Sequence, residues 1–200
     1  MIKNSIILKE GIKPIFISLF ITIICAIFIS SSLATILAII TIFIAFMYRD
    51  KNIDLKRNDS EILSICDGTI NTIDYNKTQT ILYINVTPFN NHILISPIDA
   101  NLKILKYKNG LNLNPNSFKA NKLNEQLVIA MNDIEIEFLS GVCNNKINIQ
   151  EKEFIKGDKL GVFLNGIIKI TFNSNNIKLN VNIGDKIQSG QTVIAFTTQG

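Results

Sequence analysis

Over the first fifty positions apolar residues follow one another almost without a break. From there to the C-terminus they come in short runs separated by Asn, Gly, Asp and Lys. No Asp, Glu, Lys, Arg or His occurs between Pro14 and Tyr48. As a single helix rising about 1.5 Å per residue, that stretch would be about 50 Å long, well beyond a hydrocarbon core of roughly 30 Å, so it is expected to fold back on itself. Ser30, Ser31 and Ser32 interrupt it near the middle, which predicts a hairpin of two short helices, Ile15–Ile29 and Leu33–Tyr48. Helices of this length just reach across a thin bilayer, so a transmembrane and a re-entrant hairpin are both open.

Beyond Arg49 the helical period disappears. Runs rich in Ile, Val, Thr, Phe and Tyr predict strands at 69–74, 80–86, 101–107, 127–131, 134–139, 160–164, 167–172, 177–181 and 192–196. Short strands with frequent turns argue for a sandwich or barrel, and no segment is long enough for a βαβ crossover helix. The polar stretch from Asn109 to Asn121, with Pro115 inside it, reads as a surface loop. The expected organisation is therefore a membrane anchor at 1–48 and a mainly β, barrel-sandwich-like domain at 49–200.

Charge adds orientation. Lys3, Lys9 and Lys13 precede the apolar run, Arg49, Lys51, Lys56 and Arg57 follow it, and the Ser-rich middle is uncharged. By the positive-inside rule both ends stay cytoplasmic, which places the β domain on the cytoplasmic side of a membrane, the inner one in a bacterium. A cleaved signal peptide is disfavoured, because the run exceeds an h-region of about 7–15 residues and is followed at once by basic residues. The net charge is +4, and only +2 without the charged residues before Pro14, too weak a bias to expect nucleic acid. Cys25, Cys66 and Cys143 are scattered, so neither a disulfide framework nor a metal site is expected.

The C-terminal segment Ile177-Lys-Leu-Asn-Val-Asn-Ile-Gly184-Asp185-Lys-Ile-Gln-Ser-Gly190-Gln-Thr-Val-Ile-Ala195 is similar to the "GD-x-V-x-x-G-x-x-V" hairpin of barrel-sandwich folds, lipoyl and biotinyl carriers among them. No Met-Lys motif stands at its tip, which argues against a swinging-arm carrier, and the hairpin alone indicates fold rather than function. The only histidine, His92, lies in Thr87-Pro-Phe-Asn-Asn-His92-Ile-Leu-Ile-Ser-Pro97, and Asp67 precedes Gly68 in a turn. Taken singly, each is as well explained by structure as by chemistry.

In order, these pieces resemble the short, membrane-associated form of phosphatidylserine decarboxylase. Ser64-Ile65-Cys66-Asp67-Gly68 is similar to that family's "S-P-A-D-G" turn, and Asn90-Asn-His92-Ile-Leu-Ile-Ser-Pro97 to its "N-V-H-V-N-R-x-P". Asn124-Glu125-Gln126 stands against "N-E-R", and Ser140-Gly141-Val-Cys-Asn-Asn-Lys146-Ile147 against "A-G-L-x-A-R-R-I". Gly157-Asp-Lys-Leu-Gly161-Val-Phe-Leu-Asn-Gly166-Ile167-Ile168-Lys169 stands against "G-x-x-x-G-x-I-R-F-G-S-R-V". Val181-Asn-Ile-Gly184-Asp-Lys-Ile-Gln-Ser-Gly190-Gln-Thr192 closes the series against "V-x-x-G-x-x-V-x-x-G-E-T". The likeness is colinear over nearly the whole chain, although each motif is degraded.

The resemblance implies an enzyme of phosphatidylethanolamine synthesis that cleaves itself at a Gly-Ser bond. The serine becomes a pyruvoyl group whose carbonyl forms a Schiff base with the substrate amine and acts as an electron sink in decarboxylation. It also implies that an Asp and a His activate that serine, as in a general-base triad. Asp67 and His92 stand at those positions, Gly166 at the glycine and Ile167 at the serine. No Gly-Ser dipeptide occurs in the chain. Arginines of the family after the His and around the Gly-Ser are replaced by Ile95, Leu164 and Ile168, which cannot grip a phosphate bidentately.

The reading is thus a homologue that keeps the fold and anchor without self-processing, so no pyruvoyl cofactor is expected. The expected partners are the lipid bilayer and phosphatidylserine or a related phospholipid, with self-association or pairing with an active paralogue. Two alternatives stay open: an active decarboxylase with a displaced nucleophile, for which Ser174 is the nearest downstream serine, and a non-catalytic barrel-sandwich adaptor.

Overall fold

The computed structural model describes residues 7–50, 58–76, 78–142, 144, 146–173 and 176–197. The chain divides into two compact units, Met1–Asn52 and Ile53–Gly200.

The first unit is a pair of helices, α1 (Lys9–Phe28) and α2 (Ser31–Met47). Helix α1 begins six residues before the predicted start and carries Pro14 inside it. The missing proline N–H removes one intrahelical bond, while Glu10 in the first turn suits the positive end of the helix dipole. The chain reverses at Ile29 and Ser30, whose N–H groups both donate to the Cys25 carbonyl (3.1 and 3.0 Å), so Ser31 and Ser32 belong to α2 rather than to the break. Where the helices face each other, Ser18 Oγ and Thr41 Oγ1 lie 2.7 Å apart, and Thr22 Oγ1 is 3.3 Å from Thr41 Oγ1. Hydroxyls bonded between otherwise apolar helices are the kind of glue that works where water is absent. Much of the remaining surface is apolar and exposed, including Phe16, Phe20, Ile27, Phe28 and Ile42. Helix α1 is long and apolar enough to cross a membrane, and the 17-residue α2 is shorter. Leu8 N–H donates to the Tyr48 carbonyl (2.9 Å), closing the open end of the hairpin.

The second unit makes the protein mainly β, with strands and bridges holding 39% of the described residues against 23% in helix. Its strands are β1 (Glu61–Leu63), β2 (Gly68–Tyr75), β3 (Thr80–Val86), β4 (Ile93–Ile95), β5 (Ala100–Lys108), β6 (Gln126–Met131) and β7 (Ile134–Ser140). After these come β8 (Glu153–Phe154), β9 (Lys159–Val162), β10 (Gly166–Phe172), β11 (Ile177–Leu179), β12 (Lys186–Ile187) and β13 (Val193–Thr197). A one-turn helix, α3 (Ala120–Leu123), precedes β6.

Eight strands form an antiparallel sheet in the order β12-β2-β3-β10-β7-β6-β5-β8, with a three-stranded sheet β1-β13-β11 and a pair β4-β9 beside it. None of these sheets closes into a barrel, and the arrangement is sandwich-like. Alternation along the strands separates the faces: Leu82, Ile84, Ile136, Phe138, Ile168, Ile170 and Phe172 point inward, and Tyr83, Glu137 and Lys169 outward. The inward set joins Ile62, Ile194 and Ala195 of the small sheet and Leu94 and Leu160 of the pair in one core. Asn132, at φ +52°, supplies the positive φ that the tight β6–β7 turn needs.

Strand order brings one set of ends together. β2 begins, β3 ends, β10 begins, β7 ends, β6 begins and β5 ends at the same side of the large sheet. The motif segments sit there.

Candidate functional site

Asp67 lies in the turn that leads into β2, and one of its carboxylate oxygens accepts the N–H of Ser189 (2.7 Å). The buried Ser189 hydroxyl is shared between the carbonyls of Ile65 (3.2 Å) and Ile93 (3.0 Å). A single serine therefore ties the Asp67 turn to the strand that follows His92. Ile95 N–H, donating to the Ile65 carbonyl (2.8 Å), adds a second tie. Gly68 is sterically required, because a Cβ there would lie 2.6 Å from Ile84 Cγ2 and 2.8 Å from the Asn85 carbonyl oxygen.

His92 ends the turn that leaves β3. Thr87 N–H and Oγ1 both donate to Asn90 Oδ1 (2.8 Å each), which folds the turn back. The imidazole is buried, with Nε2 3.2 Å from the Pro88 carbonyl; since a carbonyl only accepts, this contact places the proton on Nε2. Phe163 N–H donates to the His92 carbonyl (2.9 Å), joining the histidine to the segment three residues before Gly166. Beside it, Asn91 Oδ1 accepts the Ile93 N–H (3.0 Å), while the buried Asn91 Nδ2 has no acceptor among the described residues.

Gly166 opens β10, one residue earlier than the predicted strand, opposite Val86 on one side and Ser140 on the other. Its φ is +147°, and a Cβ would lie 2.2 Å from the Leu139 carbonyl oxygen and 2.6 Å from Phe163 Cζ. The motifs of Asp67, His92 and Gly166 thus meet at one end of the sheet. Ile167 lies in the predicted strand, but its side chain does not join the core. It faces outward, half-buried, opposite Asn85 and Leu139, on the floor of a cavity of about 430 Å³ with Tyr83, Leu139, Lys169 and the loop residues Pro115 and Asn121. The Lys169–Glu137 pair in this cavity (3.5 Å) is partly exposed and contributes little. Ile95, Leu164 and Ile168 are all fully buried.

A buried polar network links the Asn124-Glu125 and Ser140–Ile147 segments with the loop and holds this end together. Asn124 Nδ2 donates to the carbonyls of Leu113 (2.8 Å) and Ser140 (2.7 Å), and its Oδ1 accepts the Leu113 N–H (3.0 Å). Ser140 Oγ donates to Asn112 Oδ1 (2.6 Å), Asn144 Nδ2 to Ser140 Oγ (3.1 Å), and Leu164 N–H to Asn144 Oδ1 (2.8 Å). Glu125 accepts from Tyr107 Oη (2.9 Å) and Ile147 N–H (3.2 Å). Burial first, then the Glu125 carboxylate, holds the Tyr107 phenol above its ordinary pKa. All but Tyr107, Asn112 and Leu113 lie in motif segments, but which of them bond to one another is set by contacts distant in the chain, as for Ser189 and Asn144.

The hydroxyls and thiol near the site are poorly placed as nucleophiles. Burial, with the Asp67 charge second, pushes the Cys66 thiol far above its usual range, and Ser64 Oγ donates to the Cys66 carbonyl (2.7 Å). Ser174 lies outside the described residues. Among the described residues no three His, Cys, Asp or Glu side chains gather as metal ligands.

The phosphatidylserine decarboxylase family profile matches residues 40–195. The phosphatidylserine decarboxylase proenzyme of Amoebophilus asiaticus (strain 5a2) is 28% identical over 185 residues, covering 83% of this chain and 82% of that protein. The phosphatidylserine decarboxylase proenzyme of Geotalea uraniireducens (strain Rf4) is 24% identical over 216 residues, covering 97% and 98%.

Proposed function

Because the chain belongs to the phosphatidylserine decarboxylase family, we propose that it is a membrane-anchored homologue in phospholipid metabolism that does not process itself to a pyruvoyl form. The residues present do not fit that group. A pyruvoyl is made from the residue after the scissile bond and needs its side-chain oxygen; Ile167 follows Gly166 and has none. A hydroxyl from another strand does not substitute. Ser140 lies directly across from Gly166, but cleavage by it would leave Ile167 with an ordinary amino terminus.

The observation that carries the reading is the setting of the Gly166–Ile167 peptide. It lies in β10, which is paired to β3 and β7 over its whole length, and β-branched residues at 167 and 168 favour that extended backbone. Asp67 and His92 remain at the same sheet end, each held by hydrogen bonds. In this reading they are remnants of the family's base pair, and the retained role is to bind phosphatidylserine or a related phospholipid, alone or paired with an active paralogue. The basic residues flanking both ends of the hairpin support a cytoplasmic β unit.

Intact-mass spectrometry of the purified full-length protein tests this. One 22.4 kDa chain is expected. Two fragments divided near residue 166, the smaller with a blocked N-terminus, would show a living site. The anchor is tested separately: membranes washed with high salt and alkaline carbonate should retain the chain, since burying some 30 apolar residues far outweighs a screened surface attraction.

A further inference from the structure

Charge is unevenly spread along the β unit's sequence. Residues 53–200 contain 15 Lys or Arg and 14 Asp or Glu, nearly balanced. Yet between Ala100 and Asn124 there are five lysines and no acidic residue. This stretch is β5, the loop after it and α3. Interleaved with Lys106, Lys119 and Lys122 are solvent-facing apolar side chains, Leu105, Leu111, Leu123 and, at the loop tip, Phe118 at 93% exposure.

The loop is not loosely held. Leu111 N–H donates to the Leu123 carbonyl (2.7 Å), Glu125 N–H to the Leu111 carbonyl (3.0 Å), and the buried Asn124 side chain grips Leu113 from both sides. A pinned base therefore presents Phe118 to solvent on a fixed frame. The loop supplies Pro115 and α3 supplies Asn121 to the cavity that Ile167 lines, so this stretch borders the outward-facing cleavage-site position.

We propose that this basic, apolar-tipped loop is a bilayer-docking surface. Phe118, Leu111 and Leu123 enter the boundary between headgroups and acyl chains, and Lys106, Lys119 and Lys122 face anionic headgroups. Apolar side chains on one element with lysines beside them match the chemistry of an anionic lipid interface. Nucleic acid fits less well, because most of the exposed apolar residues are aliphatic and offer no ring for a base to stack on. The inference deepens the lipid reading above by assigning the surface through which lipid reaches the site.

The chain contains no tryptophan, so Phe118→Trp introduces a sole indole. The full-length variant is reconstituted into phosphatidylcholine vesicles with or without phosphatidylglycerol, with brominated acyl chains. The expected result is a blue shift and loss of emission by bromine quenching in the anionic vesicles. Tyr75→Trp, exposed at the opposite end of the sheet, should stay unquenched. Adding Lys119→Gln and Lys122→Gln to Phe118→Trp should bring quenching down to the level in neutral vesicles. An indole at 118 that stays unquenched in every vesicle overturns the proposal, as does one that responds only to added RNA or acidic polypeptide. Carbonate washing of the same vesicles separates the two failures: a retained chain with a wet indole refutes the docking loop, and a released chain refutes the membrane reading itself.

Discussion

At Gly166 backbone conformation and crowding act together: a φ of +147° is open essentially to glycine alone, and the space beside its Cα is filled by the Leu139 carbonyl and the Phe163 ring. Gly166→Ala should therefore lower stability by roughly 2–6 kcal/mol, the sum of a strained backbone and an overpacked contact. Urea unfolding followed by circular dichroism reads this directly, and a loss under 1 kcal/mol would mean that the β10 entry relaxes easily. The glycine thus has a structural reason to stand at this position, whatever residue follows it. Asp67, His92 and Gly166 were legible from motif order, since each sits in a short stretch with recognisable neighbours. Ser189 was not, because its role is to join carbonyls at Ile65 and Ile93, far away in sequence.

Among elements, the 109–125 loop depends most on one side chain. Asn124→Ala removes three hydrogen bonds and leaves the Ser140 carbonyl and both backbone groups of Leu113 without that partner. A loss on the order of 2–4 kcal/mol is expected, together with faster tryptic cleavage at Lys119 and Lys122 while the rest of the β unit resists. Equal cleavage in wild type and variant would show that the loop is held by other means. The long strands were readable because each repeats the two-residue period several times, and 80–86 coincides with β3. Of the two- and three-residue strands only β11 was readable, at 177–181; β1, β4, β8 and β12 were not, since so short a run carries little period of its own. Helix α1 starts earlier than expected because the helix tolerates a proline in its second turn, at the loss of one intrahelical bond.

Taken whole, the chain combines an apolar helical pair with a β unit that has its own continuous core. Deleting residues 1–52 should leave a β protein with cooperative unfolding and no carbonate-resistant membrane association; a truncated product without a cooperative transition would show that the hairpin is needed for folding. The large sheet adds one more consequence. Its two long flanking strands, β2 and β5, each carry a register shift, between Ile70 and Thr72 and between Ile104 and Lys106. Two-residue strands cover part of each, and further backbone groups are occupied: Ile70 bonds Asp185 and Gly184, Leu102 N–H the Lys152 carbonyl, and Ile104 N–H the Glu151 carboxylate. A growing fibril needs a straight, unsatisfied ladder to add to, and these bulged, capped margins withhold one. An eight-stranded sheet rich in isoleucine can therefore stay dispersed at high local concentration instead of templating its neighbours.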